Sequence, residues 1–190
     1  MKAATWVLAG SLLTAVPALA LARPGGDADS YHWVGPYVGA QLGFNQSSAY
    51  NLDTQDSLTG GVLGGYNFAV PTNSTAAPFI VGGDVFAEFN TQATHNDAVD
   101  YGSNVVGVDF MGGYPLGVER NFLPYVKVGV GDLSATGDLG GSDTSARIGL
   151  GAEYRLRPHL AVDAQWMHQD ARHITNDNFT VGLNYRFSLQ

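Results

Sequence analysis

From Tyr37 to the C-terminus the chain alternates apolar and polar residues with a period of two, in eight separate segments. No other feature limits the fold as much, because only a β-strand sends successive side chains to opposite faces. The segments are residues 37–45, 58–68, 79–89, 105–115, 124–131, 146–156, 160–169 and 179–187. In the first, Val38, Ala40, Leu42 and Phe44 share one face, and Tyr37, Gly39, Gln41, Gly43 and Asn45 share the other. In the last, Phe179, Val181, Leu183, Tyr185 and Phe187 oppose Thr180, Gly182, Asn184 and Arg186. No helical period competes with this pattern downstream of the N-terminal segment.

Each segment is close to the roughly 9–11 residues that a tilted strand needs to cross a bilayer. Eight strands is also the size of the smallest membrane barrels, whose interior is just wide enough for side chains to fill. The connections divide into two kinds. Polar, Asp/Ser/Asn-rich stretches follow the odd-numbered strands (46–57, 91–104, 132–145 and 170–178), whereas Arg157-Pro158-His159 is the tightest turn at the other end. This predicts long extracellular loops opposite short turns, with 69–78 rather long for a turn. The expected fold is all-β: an eight-stranded antiparallel up-and-down transmembrane β-barrel.

Alternation alone does not say which face looks outward. A water-soluble barrel would turn valines and phenylalanines inward around a small ligand, while a membrane barrel turns them toward lipid. Two features favour lipid. Gly39, Gly43, Gly107, Gly129, Gly149, Gly151 and Gly182 crowd the polar face, where a narrow interior leaves little room. Apolar-face aromatics, among them Phe44, Phe89, Trp166, Phe179 and Tyr185, fall near strand ends as interfacial girdles do.

The N-terminus reads as an export signal. Lys2 precedes an apolar run, and Ala18-Leu19-Ala20 and Ala20-Leu21-Ala22 are overlapping small-residue cleavage sites. The chain therefore divides into a signal peptide (1–22), a short leader (23–34) and a barrel domain (35–190). Beyond the signal no run reaches the roughly 18–20 apolar residues of a membrane helix. The 190 residues contain no cysteine, which excludes a disulfide scaffold, a thiolate metal site and a cysteine nucleophile. A formal charge of −8 argues against nucleic acid as a partner.

Several motifs carry a family likeness: Trp33-Val34-Gly35-Pro36-Tyr37-Val38-Gly39-Ala40, Gly64-Gly65-Tyr66-Asn67-Phe68, Leu123-Pro124-Tyr125-Val126-Lys127-Val128-Gly129-Val130-Gly131, Gly149-Leu150-Gly151-Ala152-Glu153-Tyr154-Arg155 and Val181-Gly182-Leu183-Asn184-Tyr185-Arg186-Phe187. With them the chain resembles the small outer-membrane β-barrel proteins of Gram-negative bacteria, the opacity-protein/porin-like group with the OmpA-type transmembrane barrel. The resemblance implies a closing strand whose Val181, Leu183, Tyr185 and Phe187 are read by the outer-membrane assembly machinery. The family usually ends on the aromatic; here Ser188-Leu189-Gln190 follow. It also implies outer-membrane lipid and lipopolysaccharide as surroundings, and a monomer.

On the polar face, Asp84, Glu88, Asp109, Glu153 and Asp163 oppose Lys127, Arg147, Arg155 and Arg186. These nine form either an ion-pair network that plugs the lumen or a selectivity filter in a narrow pore. Nine aspartates in the loop stretches (53, 56, 97, 100, 132, 138, 143, 170 and 177) face Arg172 alone. They serve solvation and turns, or bridge divalent cations to lipopolysaccharide or contact a basic partner. His168, Asp170, His173, Thr175 and Asn176 are the one cluster suggestive of catalysis; His173-Ile174-Thr175-Asn176 is similar to the His-x-Ser-Asn of barrel lipid A deacylases, with threonine in place of serine. Neither catalytic residues nor a metal or other cofactor is expected. The expected function is envelope integrity and surface interaction, with loops available to a host or surface ligand. The alternatives are a narrow porin, a lipid hydrolase and a soluble ligand-binding barrel.

Overall fold

The computed structural model describes residues 32–187 except 49–53, 73–76, 96–98, 139–140 and 173. The expected signal peptide, leader residues 23–31 and Ser188-Leu189-Gln190 lie outside the described residues. Eight strands follow one another in chain order: β1 (Gly35–Ser48), β2 (Gln55–Val70), β3 (Phe79–His95), β4 (Val99–Gly113), β5 (Phe122–Gly137), β6 (Ser142–Arg157), β7 (Leu160–Asp170) and β8 (Thr175–Arg186). Each pairs antiparallel with the next, and β8 returns to β1, so the sheet is a closed barrel. Closure leaves no unpaired edge, a condition that hydrocarbon imposes because it offers no hydrogen bonds to exposed backbone.

All eight expected strands are present, but the loop pattern differs from the expected one. Strands β1 to β6 run 14 to 17 residues, well past a bilayer crossing. Most of the stretches read as long loops are strand: β3 continues to His95, β5 to Gly137, and β6 begins at Ser142. At the opposite end the connections 71–78 and 114–121 are longer than the single tight turn at 158–159. The reason is chemical. Beyond the bilayer both faces of a strand meet water or polar groups, so the apolar alternation that marks a strand fades while the backbone ladder continues.

The outward face carries a continuous apolar belt. Leu42, Phe44, Phe89, Phe110, Val126, Leu150 and Val181 are all more than half exposed, an arrangement that would be costly in water. Along β3 the belt runs from Phe79 to Phe89; ten steps of about 3.3 Å, tilted roughly 40°, span ~25 Å, the height of a membrane band. Above it the outward positions turn polar at Gln46, Asp56, Asn104, Asp132 and Asp177. Phe44 pairs with Phe179, which pairs with Trp166, forming the upper girdle. Phe122 opposite Tyr154, with Tyr185 and Phe187, marks the lower one.

Candidate functional site

The lumen is the site that inward-facing residues build. It is layered along the barrel axis. At its centre Arg147, on β6, reaches across to Glu88 on β3 with both terminal nitrogens, at 2.8 and 3.2 Å, while its Nε lies 3.3 Å from Asp109 on β4. Its guanidinium stacks 3.8 Å over the Phe86 ring. Glu88 also accepts from Gln41 Nε2 at 3.1 Å and Asn178 Nδ2 at 3.0 Å. One carboxylate thereby ties β1, β6 and β8 to β3, with charge-assisted bonds that are the stronger kind.

Nearer the terminal end, Lys127 sits 3.0 Å from Asp84, which accepts a second bond from the Tyr37 hydroxyl at 2.8 Å. Arg186 pairs with Glu153 at 2.6 Å, and Asn184 donates to the same carboxylate at 3.0 Å. Asp163 accepts the Tyr125 hydroxyl at 2.6 Å. Two glycines make room for the network: a Cβ on Gly151 would lie 2.5 Å from Tyr125 Oη, and one on Gly129 would collide with Asp109 Oδ1.

The structure thus brings together Asp84, Glu88, Asp109, Lys127, Arg147, Glu153, Asp163 and Arg186, each at most 5% exposed. Arg155 is not among them. It stands at the terminal mouth, where its Nη2 donates to the Glu119 carbonyl at 3.0 Å. The interior therefore holds five carboxylates against three cations, a formal excess of two negative charges rather than one. The partners that balance them are neutral donors. Alternation placed Tyr37, Gln41 and Tyr125 on the inner face, but spacing along one strand cannot say which residues meet across the lumen.

Apolar clusters flank the charged layer at both ends. Toward the loops, Phe86, Tyr101, Val105, Leu133, Ala171 and Ile174 pack together. Toward the termini, Trp33, Ile80, Met111, Leu123, Tyr125 and Ala161 do the same. Trp33, read from sequence as the end of a leader, is fully buried and donates its Nε1–H to the Arg120 carbonyl at 2.8 Å. It fills the mouth from outside the strand framework, and only its position before β1 in a Trp-Val-Gly-Pro-Tyr run hinted at that.

The two rims differ in charge. Asp56, Asp100, Asp132, Asp138, Asp143, Asp170 and Asp177 lie at the loop end, with Arg172 the one Lys or Arg there among the described residues; Asp53 and Asp97 lie outside the described residues. Arg120, Arg155 and Arg157 lie at the terminal end with Glu119.

Of the suspected catalytic cluster, His168, Asp170, Thr175 and Asn176 belong to β7 and β8 rather than to a loop. His168 Nδ1 lies 2.9 Å from Asp177 Oδ1, which also accepts Trp166 Nε1–H at 3.0 Å. The Thr175 hydroxyl donates to Asp170 at 3.0 Å. Asn176 points inward and donates to Ser103 at 2.8 Å, and His173 lies outside the described residues. Thr175 and His168 are thus directed to different aspartates. A nucleophile must meet its base, and these contacts do not bring the two together. Val181, Leu183, Tyr185 and Phe187 all face outward, 46–59% exposed.

Comparison with known proteins agrees with this geometry. The family model described as outer membrane protein beta-barrel domain matches residues 7–187. The sequence matches no curated protein. Neisserial surface protein A is similar in structure, with a TM-score of 0.61 at 17% identity over 80% of this chain and 97% of that one. Ail, the attachment invasion locus protein of Yersinia pestis, gives 0.55 at 13% identity over 81% and 99%. The outer membrane enzyme PagL gives 0.51 at 13% identity over 80% and 99%. An attachment protein and an enzyme share the barrel, so the barrel alone does not assign a role.

Proposed function

This chain belongs to the outer-membrane β-barrel protein family, and on that premise we propose that it is a non-conducting surface barrel of the bacterial outer membrane. It reaches that membrane after cleavage of residues 1–22, with Val181, Leu183, Tyr185 and Phe187 read by the assembly machinery. Its role is envelope integrity and surface contact through the acidic loop rim. The observation that supports this best is the doubly capped lumen, in which an ion-pair layer lies between two apolar clusters. Ions crossing it would have to break buried pairs and wet two apolar segments. Because the charges are held by partners from β1, β3, β4, β5, β6, β7 and β8, the layer also braces the cylinder from within.

Planar-bilayer recording tests the reading against a narrow porin. The barrel is expected to pass no steady current; sustained nanosiemens-scale openings would overturn it, and any faint leak should favour cations because the interior is formally negative. A strain lacking the protein should accordingly change in envelope strength or surface attachment while its uptake of small solutes does not. Among the described residues the lipid hydrolase reading has no paired nucleophile and base, since the Thr175 hydroxyl and the His168 ring have different partners.

A further inference from the structure

The terminal rim holds a polar cavity of about 230 Å³ between the 114–121 connection and the β6–β7 turn, lined by His32, Glu119, Asn121, Arg155, Arg157 and Pro158. We propose that it is a binding site for an anionic phosphate group, whose natural source on this side of the barrel is the headgroup of an acidic phospholipid in the inner leaflet.

Three observations converge on it. The first is charge: among the described residues Arg120, Arg155 and Arg157 against Glu119 give this rim a formal +2, whereas the described opposite rim and the lumen are both negative. Basic residues at a headgroup plane attract acidic lipid through the negative surface potential. The second is that Arg155 is positioned. Arg155 Nη2 is anchored on the Glu119 carbonyl at 3.0 Å, its backbone N–H donates to the Asn121 carbonyl at 2.8 Å, and its Nη1 is buried with no hydrogen-bond partner. The connection that forms the far wall is itself held, with Arg120 at a φ of 48° and its carbonyl bonded to Trp33. A planar guanidinium with a free N–H suits phosphate oxygens, and a backbone held this way persists only where its surroundings fix it.

The third observation selects lipid over a free anion. Leu156, 53% exposed, lines the same cavity, and Phe122 and Tyr154, 40% and 48% exposed, pair at the lower edge of the apolar belt beside it. A phospholipid would therefore meet apolar side chains at its acyl end and arginines at its phosphate. The inference rests on the membrane-barrel reading above.

The test is native mass spectrometry of the barrel in detergent micelles with phosphatidylglycerol, with phosphatidylcholine and with inorganic phosphate. Wild type should retain one phosphatidylglycerol about tenfold more strongly than phosphatidylcholine. Arg157→Gln, an exposed position, should lose about tenfold of that retention, the scale of one charge-assisted contact. Arg155→Gln combined with Arg157→Gln should abolish it, and Arg172→Gln at the opposite rim should leave it unchanged. Inorganic phosphate binding with no preference for phosphatidylglycerol would keep the phosphate site and assign it to free anions. Equal retention of the two lipids without phosphate binding, or wild-type retention by Arg157→Gln, would overturn the site. Heat-modifiable gel migration of every variant reports the barrel separately: binding lost by a variant whose barrel is intact assigns the loss to the cavity, wild type that forms the barrel but retains no phosphatidylglycerol overturns the site alone, and a chain that never shows the heat-modifiable form counts against the membrane-barrel reading instead.

Discussion

Arg147→Met is expected to unfold at a much lower denaturant concentration than the parent barrel, by about 3–5 kcal/mol of stability, the usual cost of stripping one partner from a buried charge cluster. The size follows from what the guanidinium touches. Among the described residues it is the only cation within ion-pair distance of Glu88, and it also lies within that distance of Asp109. Without it both carboxylates stay 1–2% exposed and uncompensated, and the Phe86 ring loses the flat group stacked on it. Reversible urea unfolding in phospholipid vesicles, followed by gel migration and fluorescence, reads the loss. Adding Glu88→Gln to Arg147→Met should return part of it, because the second change removes one of the stranded charges. A loss below about 1 kcal/mol, the range of exposed pairs, would mean that water screens the lumen and that the two caps do not keep it dry.

The second large effect is on the outside. Val126→Arg should cost about 2–4 kcal/mol in a bilayer, as a cation at mid-depth on a barrel wall does. Val126 is 61% exposed and lies halfway along the apolar run of β5, beside Gly112 and Leu150. By exposure alone it would be a harmless place for a charge, since exposed surface substitutions in water usually fall within about ±0.5 kcal/mol. Thr144→Arg, also outward but above the belt and paired with Asp132, should cost no more than about 1 kcal/mol. The same unfolding assay compares the two. Equal costs at both positions would contradict a lipid-facing wall.

What could be read in advance follows from where the environment changes along each strand. Between Val38 and Phe44, or Phe179 and Phe187, one face meets acyl chains and the other polar groups, so alternation is sharp and the strands were legible. From Ser142 to Ser145 both faces are polar, so the pattern vanishes although β6 has already begun. The charges followed the same logic. Eight of the nine inward candidates meet in the lumen because alternation fixes their face. Arg155 does not, since its height near the end of β6 puts it at the mouth, and alternation carries no information about depth. Trp33 was harder still: it precedes the strands, and nothing in its immediate sequence says that the ring turns in under Arg186, 4.8 Å away. Likewise His168 and Asp177 lie nine residues apart in sequence, yet they meet because the β7–β8 register sets them opposite one another.

The most direct test uses the chain's own tryptophans. Of the three, Trp6 lies in the expected signal, Trp33 is buried inside the terminal mouth and Trp166 faces outward at the upper edge of the belt. In bilayers of acyl-brominated phospholipid, the processed chain carrying Trp33→Phe should have its remaining Trp166 fluorescence strongly quenched. The Trp166→Phe chain, reporting Trp33, should be nearly unaffected, and Val126→Trp in a chain lacking both should be quenched most by bromines placed deep in the acyl chains. Quenching of Trp33 by lipid, or a Val126→Trp signal reached by aqueous iodide and not by bromine, would contradict the account.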